Sequence, residues 1–242
     1  SPSTVNILNN EGKDYILYGT ITTNTWKLRI LFDEMELSYK YEDIDIFNPA
    51  SEKRAEFKKI FPNGKVPALM DFTLSPPQPV FESGAILLYI ASKHGKFLPD
   101  IKTHPREHSD VLQWLAWQIS GLGPMHGQYV HYALFAQDAV PAAEERYYRE
   151  TDRLYSVLDK HLEGKQWIAA NQYSIADMAV YAWAMYLPYG FVPNHEKFTN
   201  VLAWLDRMNQ RPVLAKLRPI INHIIEEDVK HLKAVGTYRV KA

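Results

Sequence analysis

The spacing of apolar residues changes once along this chain, and that change decides what it can fold into. Up to Gly95 short runs of strand period alternate with helical ones; from Arg106 onward only helical spacing remains. Tyr15–Tyr18 is an apolar strand. Leu28, Leu31, Phe32 and Met35 then fall at i, i+3, i+4 and i+7, which predicts an amphipathic helix over Trp26–Glu36. Tyr39, Tyr41, Ile44 and Ile46 approximate a second strand, ended by Asn48 and Pro49. Ser51–Phe61 reads as a helix, and "PNGKVPALMD" as a turn with a third strand over Val66–Asp71. After the proline-rich "FTLSPPQP", Val80 and Phe81 form a short fourth strand, and "ESGAILLYIASKHG" a helix closed by Gly95.

A crossover helix between the first two strands requires them to be parallel, and the short spacer makes the last two antiparallel. That is the thioredoxin-like plan, an α+β domain. Beyond it the predicted helices are Ala142–Leu162, Ser174–Tyr186, Val201–Asn209 and Val213–Ile225, with an aromatic-rich stretch from Trp114 interrupted by a kink or break at "GLGPM". The expected organisation is therefore a flexible arm over 1–14, a thioredoxin-like domain over 15–95 and a linker over 96–105. An all-α helical bundle over 106–226 and a tail over 227–242 complete it. Ser174 and Asp177 in "YSIAD" resemble a capping box, a folding element rather than a site.

Composition removes several functional classes. Of 242 residues 23% are charged, the net charge is −1, and the two signs are interspersed, so no basic footprint for nucleic acid or an anionic membrane exists. No apolar run approaches the ~18 residues of a membrane span. There is no cysteine. Disulfides, thiolate metal sites and any mechanism in which the protein supplies its own thiol are thereby excluded, and no metal site is expected. A cytoplasmic setting fits this usage.

Six stretches, in order, carry a resemblance: "TTNTWK", "PNGKVPAL", "FESGAILLYIA", "LQWLAWQISGLGPMHGQ", "ERYYRETDRLYSVLDKHL" and "YSIADMAVYAWA". From about Tyr15 to Ile225 the chain resembles a glutathione transferase. Within that superfamily it is most similar to the nu class and the fungal relatives of the nitrogen-catabolite regulatory prion protein. The resemblance implies the glutathione transferase fold, glutathione (reduced or disulfide) as co-substrate, and a homodimer. Lacking the prion protein's long arm, the chain is expected to be an enzyme-type member.

The same resemblance distributes roles. It implies a cis bond between Val66 and Pro67, which would turn the Val66 backbone towards the cysteinyl part of glutathione. Ser83, at a helix start, offers its hydroxyl and nearby N–H groups to the γ-glutamyl carboxylate, and Glu82 a partner for the α-amino group. Lys65 is expected to meet the glycyl carboxylate or a neighbouring carbonyl. Arg146 in "ERYYRE" would reach a second glutathione or the other half of glutathione disulfide. Trp26 with Met125, Gln128, Tyr129 and Tyr132, which fall near helical spacing, is expected to line the wall for an apolar electrophile.

In cysteine-type relatives the loop after strand one carries the reactive sulfur; by alignment that position holds Asn24, with Thr22 two residues earlier. A carboxamide cannot remove a proton, but it can donate to a sulfur, as can a threonine hydroxyl and the N–H groups of a helix start. Hydrogen bonds to the charged form lower a thiol pKa. Glutathione would then be the nucleophile, positioned by Asn24 and Thr22, attacking either an electrophilic carbon or a disulfide through a mixed disulfide. The resemblance favours disulfide reduction with weak or moderate conjugation. Tyr18, ending the first strand, is the competing position for a catalytic hydroxyl. A ligand-binding or regulatory protein on the same fold is the alternative function.

Overall fold

The computed structural model describes residues 5–234. They divide between Leu98 and Pro99 into two compact units.

The first unit runs β1 (Tyr15–Gly19), α1 (Thr23–Glu34), β2 (Tyr39–Asp43), α2 (Glu52–Ile60), β3 (Ala68–Asp71), β4 (Gln78–Phe81) and α3 (Ser83–His94). The sheet order is β2-β1-β3-β4, with β1 parallel to β2 and antiparallel to β3, and β4 antiparallel to β3. Alternation along β1 sorts the layers, because successive side chains leave a strand on opposite faces. The Tyr15 ring meets Phe32 of α1 edge-on at 5.5 Å, and its hydroxyl lies 2.9 Å from His94 Nε2 of α3. Tyr18 points the other way, against Phe57 and Phe61 of the α2 segment. Gly95 closes α3 in the left-handed conformation, φ 63°, as the sequence predicts.

Two expectations are corrected here. The segment 1–14 is not a loose arm over its described part. Ile7 is 3% exposed within the Tyr18–Phe57 cluster, its carbonyl accepts the Tyr18 hydroxyl at 2.8 Å, and the Asp14 carbonyl accepts Phe72 N–H. One buried isoleucine side chain stabilises by roughly 1.5–3 kcal/mol, enough to hold an otherwise polar segment down. The second correction concerns α1, which begins at Thr23 rather than Trp26. Thr22 is its extended N-cap residue (φ −134°, ψ 152°), and the Thr25 hydroxyl, turned inwards, pairs with that of Thr22 at 2.9 Å. Internal pairing of the threonines lets a β-branched run open a helix.

The second unit is helical: α4 (Pro105–Trp117), α5 (Gly123–Val130), α6 (Pro141–Leu162), α7 (Ile175–Ala184), α8 (Thr199–Asn209) and α9 (Pro212–Ala234). At "GLGPM" the chain does not break. Gln118–Leu122 forms a π turn, in which Gly123 N–H donates to the Gln118 carbonyl, and α5 continues past Pro124. A wider turn admits a residue that has no N–H to give. Helix α7 is buried nearly all round and packs on α4, α5 and α8. Its start is the capping box read from the sequence: Ala176 N–H donates to Ser174 Oγ at 3.2 Å and Ser174 N–H to Asp177 at 3.0 Å. Helix α9 runs to Ala234, past the boundary at 226 where a tail was expected; residues 235–242 of that tail lie outside the described residues.

Candidate active site

Strand register alone gathers the site of the first unit. Tyr18 of β1 pairs with Ala68 of β3, and Ala68 with Phe81 of β4. The exit of β1, the entrance of β3 and the exit of β4 therefore share one end of the sheet. Onto that end the chain delivers Thr22 and Asn24 from the first turn of α1, Lys65 and Val66 from the segment before β3, and Glu82 and Ser83 from the start of α3. The peptide bond between Val66 and Pro67 is cis, as the resemblance implied.

Each side chain is held differently. Asn24 is half-buried and sits on the helix, not in a loop. Behind it the fold is tight: a Cβ on Gly19 would approach Thr25 Cγ2 to 2.5 Å, so only glycine lets β1 leave so close under α1. Lys65 is exposed and Val66 buried. Glu82 is exposed, holds φ 72° and ψ 118°, and accepts from Asn63 Nδ2 at 3.4 Å. It is the N-cap residue of α3, yet its side chain does not cap the helix. A non-glycine residue at such a φ costs of order 1–3 kcal/mol, and such costs concentrate at functional sites.

Ser83, the first residue of α3, is 9% exposed. From beneath, Lys27 Nζ donates to its hydroxyl at 3.3 Å. Lys27 is 2% exposed, and burial pushes its ammonium down to about 7 although the field of Glu82 works in the opposite direction. Sequence reasoning missed this residue. Its signal was present, since Lys27 precedes Ile30 and Leu31 at i+3 and i+4 and so lies on the apolar stripe of α1.

Tyr18 drops out as a competitor. Its hydroxyl is fully buried, committed to the Ile7 carbonyl, and pushed well above the ordinary tyrosine range by burial, with Glu42 adding to the shift. Trp26 also departs from expectation: it is 3% exposed, with the Arg29 guanidinium 4.7 Å from its ring centre, and offers almost no surface to a substrate.

In the helical unit an open groove of about 520 Å³ is lined by Met125, Arg146, Tyr147, Arg149, Glu150 and Arg153. Arg149 pairs with Glu145 and Arg153 with Glu150, whereas exposed Arg146 has no ion-pair partner among the described residues. Tyr132 stacks on Tyr147 at 5.7 Å, and Gln128 is exposed. Tyr129 is buried beside Tyr148, which removes most of it from the expected wall. No His, Cys, Asp and Glu cluster among the described residues could hold a metal, and no described helix is long and apolar enough to cross a membrane.

Comparison with known proteins agrees with this fold. The glutathione S-transferase N-terminal domain matches residues 13–92 and the glutathione S-transferase C-terminal domain residues 122–212. The disulfide-bond oxidoreductase YfcG of Escherichia coli is 44% identical over 170 residues, spanning 69% of this chain and 77% of that relative. A glutathione transferase of Pseudomonas putida, solved with one glutathione disulfide per subunit, superposes with a TM-score of 0.73 at 33% identity, over 84% of this chain and 90% of that one. The transferase URE2P6 of Phanerochaete chrysosporium, in complex with oxidized glutathione, gives 0.80 at 29% identity over 88% and 99%. The chain belongs to the glutathione S-transferase family.

Proposed function

We propose that this chain is a glutathione-dependent disulfide-bond reductase with weak or moderate glutathione S-transferase activity. The observation that carries the reading is a first turn of α1 presenting Thr22 and Asn24, in a chain without cysteine and with the Tyr18 hydroxyl engaged elsewhere. Any thiolate must come from the ligand. Two glutathiones and one disulfide give glutathione disulfide and two thiols, the protons of the incoming thiols ending on the products. The protein's part is to favour the thiolate: donors at Thr22 and Asn24 and the positive end of the α1 dipole each lower the sulfur pKa. Each pKa unit is worth roughly 1.4 kcal/mol.

Ser83 and the N-terminus of α3 suit the γ-glutamyl carboxylate, Glu82 the α-amino group, the Val66 backbone the cysteinyl peptide and Lys65 the glycyl end. In the helical unit, Arg146 suits a carboxylate of a second glutathione, and Met125, Gln128 and Tyr132 an apolar electrophile. The named activity of YfcG and the glutathione disulfide in the bacterial and fungal neighbours support the redox version. Membership of the nu class and its fungal relatives, a homodimeric state and a cytoplasmic setting belong to the same reading.

The test is reduction of hydroxyethyl disulfide by glutathione, coupled to glutathione reductase, beside conjugation of a chloronitrobenzene. Disulfide turnover should dominate, and Asn24→Ala should lower it by about tenfold to a hundredfold with little change in glutathione affinity, as for a hydrogen bond to a charged group. Failure of both reactions while glutathione still binds would leave a ligand-binding or regulatory protein.

A further inference from the structure

Lys27 has no part in the roles assigned above, yet it is the most deeply buried cation in the site. It lies on α1, which packs on α3, and Ser83 Oγ is its one hydrogen-bond partner among the described residues. A buried ammonium carries three donors and a desolvation cost that one neutral hydroxyl does not offset. Glu82, at the β4–α3 corner, is the charged group whose field reaches it. Lys93 and His94, the other charged or titratable groups at the termini of α3, stand at the opposite end of that helix. Glu82 acts on Lys27 only through its field, and among the described residues no carboxylate touches the ammonium.

We propose that Lys27 is a positioning residue for the glutamyl α-carboxylate of glutathione, acting through Ser83 from inside the fold. The inference rests on the assignment of glutathione to Ser83. A serine hydroxyl has one proton and two lone pairs; with Lys27 donating to the oxygen, the Ser83 proton is left to point outward to the carboxylate. Such a relay polarises the hydroxyl and strengthens its outward bond. The lysine charge adds to the helix dipole without competing with the carboxylate for contact. The bound carboxylate in turn supplies the missing counter-charge, so Lys27 is fully protonated in the complex. Because burial holds the free ammonium at about 7, binding near neutral pH takes up part of a proton.

The experiment uses calorimetric titration with S-methylglutathione, whose thiol is blocked, and with the same molecule carrying γ-aminobutyrate in place of its glutamyl residue, which lacks only the α-carboxylate. Lys27→Met should weaken S-methylglutathione binding by about tenfold or more, as for a lost charge-assisted bond. It should leave binding of the decarboxylated analogue unchanged. Equal losses for both ligands, or none, would overturn the proposal. Should Lys27→Met fail to fold, wild-type titrations at pH 7 in phosphate and in Tris, which differ in ionisation enthalpy, still decide it. Proton uptake is expected with S-methylglutathione and not with the analogue, which keeps the amine and controls for it; uptake in neither overturns it. A wild-type protein that binds neither ligand would instead refute the glutathione reading itself.

Discussion

Helices α3 and α7 both begin at a serine above a buried charged residue, and the two starts are built in opposite ways. At α7 the chain satisfies itself. Ser174 Oγ accepts from Ala176 N–H, and Asp177 accepts from Ser174 N–H, Ile168 N–H and Trp204 Nε1. At α3 the N-cap residue Glu82 makes no side-chain cap, the Ser83 hydroxyl accepts from Lys27, and the buried charge beneath is positive rather than negative. A helix start closed by its own carboxylate is a structural element; one left open over a cation is ready for an anion. A serine stands at both starts, as the first helical residue of α3 and as the N-cap of α7, and the sign of the charge beneath it differs.

Breaking the closed start should produce the largest effect. Asp177→Ala leaves three buried donors without an acceptor, which costs about 3–5 kcal/mol at roughly 1–3 kcal/mol each, partly relieved by relaxation. Urea denaturation would show it as a lower midpoint, and glutathione affinity per folded molecule should not change. A pH dependence sharpens the contrast. Burial pushes the Asp177 carboxyl up to about 6, against the hydrogen bonds from Ile168, Trp204 and Ser174. Between about pH 4 and 6 the folded state thus holds a proton that the unfolded chain has released. The contribution of this group to stability is greatest below that window and declines as pH rises through it. Asp177→Asn should flatten that part of the stability profile; an unchanged slope would mean that the carboxyl ionises as it does in water.

The two serines allow a crossed test. Ser83→Ala should weaken glutathione binding by about tenfold, the worth of a hydrogen bond to a charged group, and lower stability by about 1–3 kcal/mol because the buried Lys27 ammonium loses its acceptor. Ser174→Ala should lower stability by about 1 kcal/mol, as N-cap replacements do, and leave binding alone. If both variants lost stability and neither lost affinity, α3 would be an ordinary capped helix and the distinction between the two starts would fail.

What the sequence disclosed follows the same division. Periodic apolar residues are legible because burial imposes the period: Leu28, Leu31 and Phe32 fixed α1, and Ile175–Ala184 followed from the box at Ser174 and Asp177. The opposed strand directions followed from spacer length alone. Three features did not emerge, each because a local rule was overridden by packing. Lysine is ordinarily a surface residue, and that expectation outweighs its place on the apolar stripe of α1 as a sign that Lys27 is buried. Ile7 stands alone among polar neighbours, and no window average registers one anchoring side chain. The helical start at Thr23 was hidden by threonines whose weak propensity is offset by a hydroxyl pair. The candidate site residues were named from motifs, and sheet register explains why those segments, distant in sequence, meet.

The smallest expected effect tests whether Tyr18 belongs to the fold or to the chemistry. Its ring packs on Phe57 and Phe61 and its hydroxyl donates to the Ile7 carbonyl, all on the α2 face of the sheet. Asn24 sits at the start of α1, which packs on the opposite face through Phe32 and Tyr15. Tyr18→Phe keeps the ring and removes one buried hydrogen bond, so stability should fall by about 1 kcal/mol. Disulfide reduction and glutathione affinity should match wild type. The stability loss should disappear in a protein already truncated past Ile7, because the acceptor is then gone; additivity of the two changes would show that the hydroxyl acts elsewhere. A fall in turnover with stability intact would return the catalytic role to Tyr18 and demote Asn24. The strand would then have to turn Tyr18 away from Phe57 and Phe61, reversing the alternation that sorts Tyr15 from Tyr18.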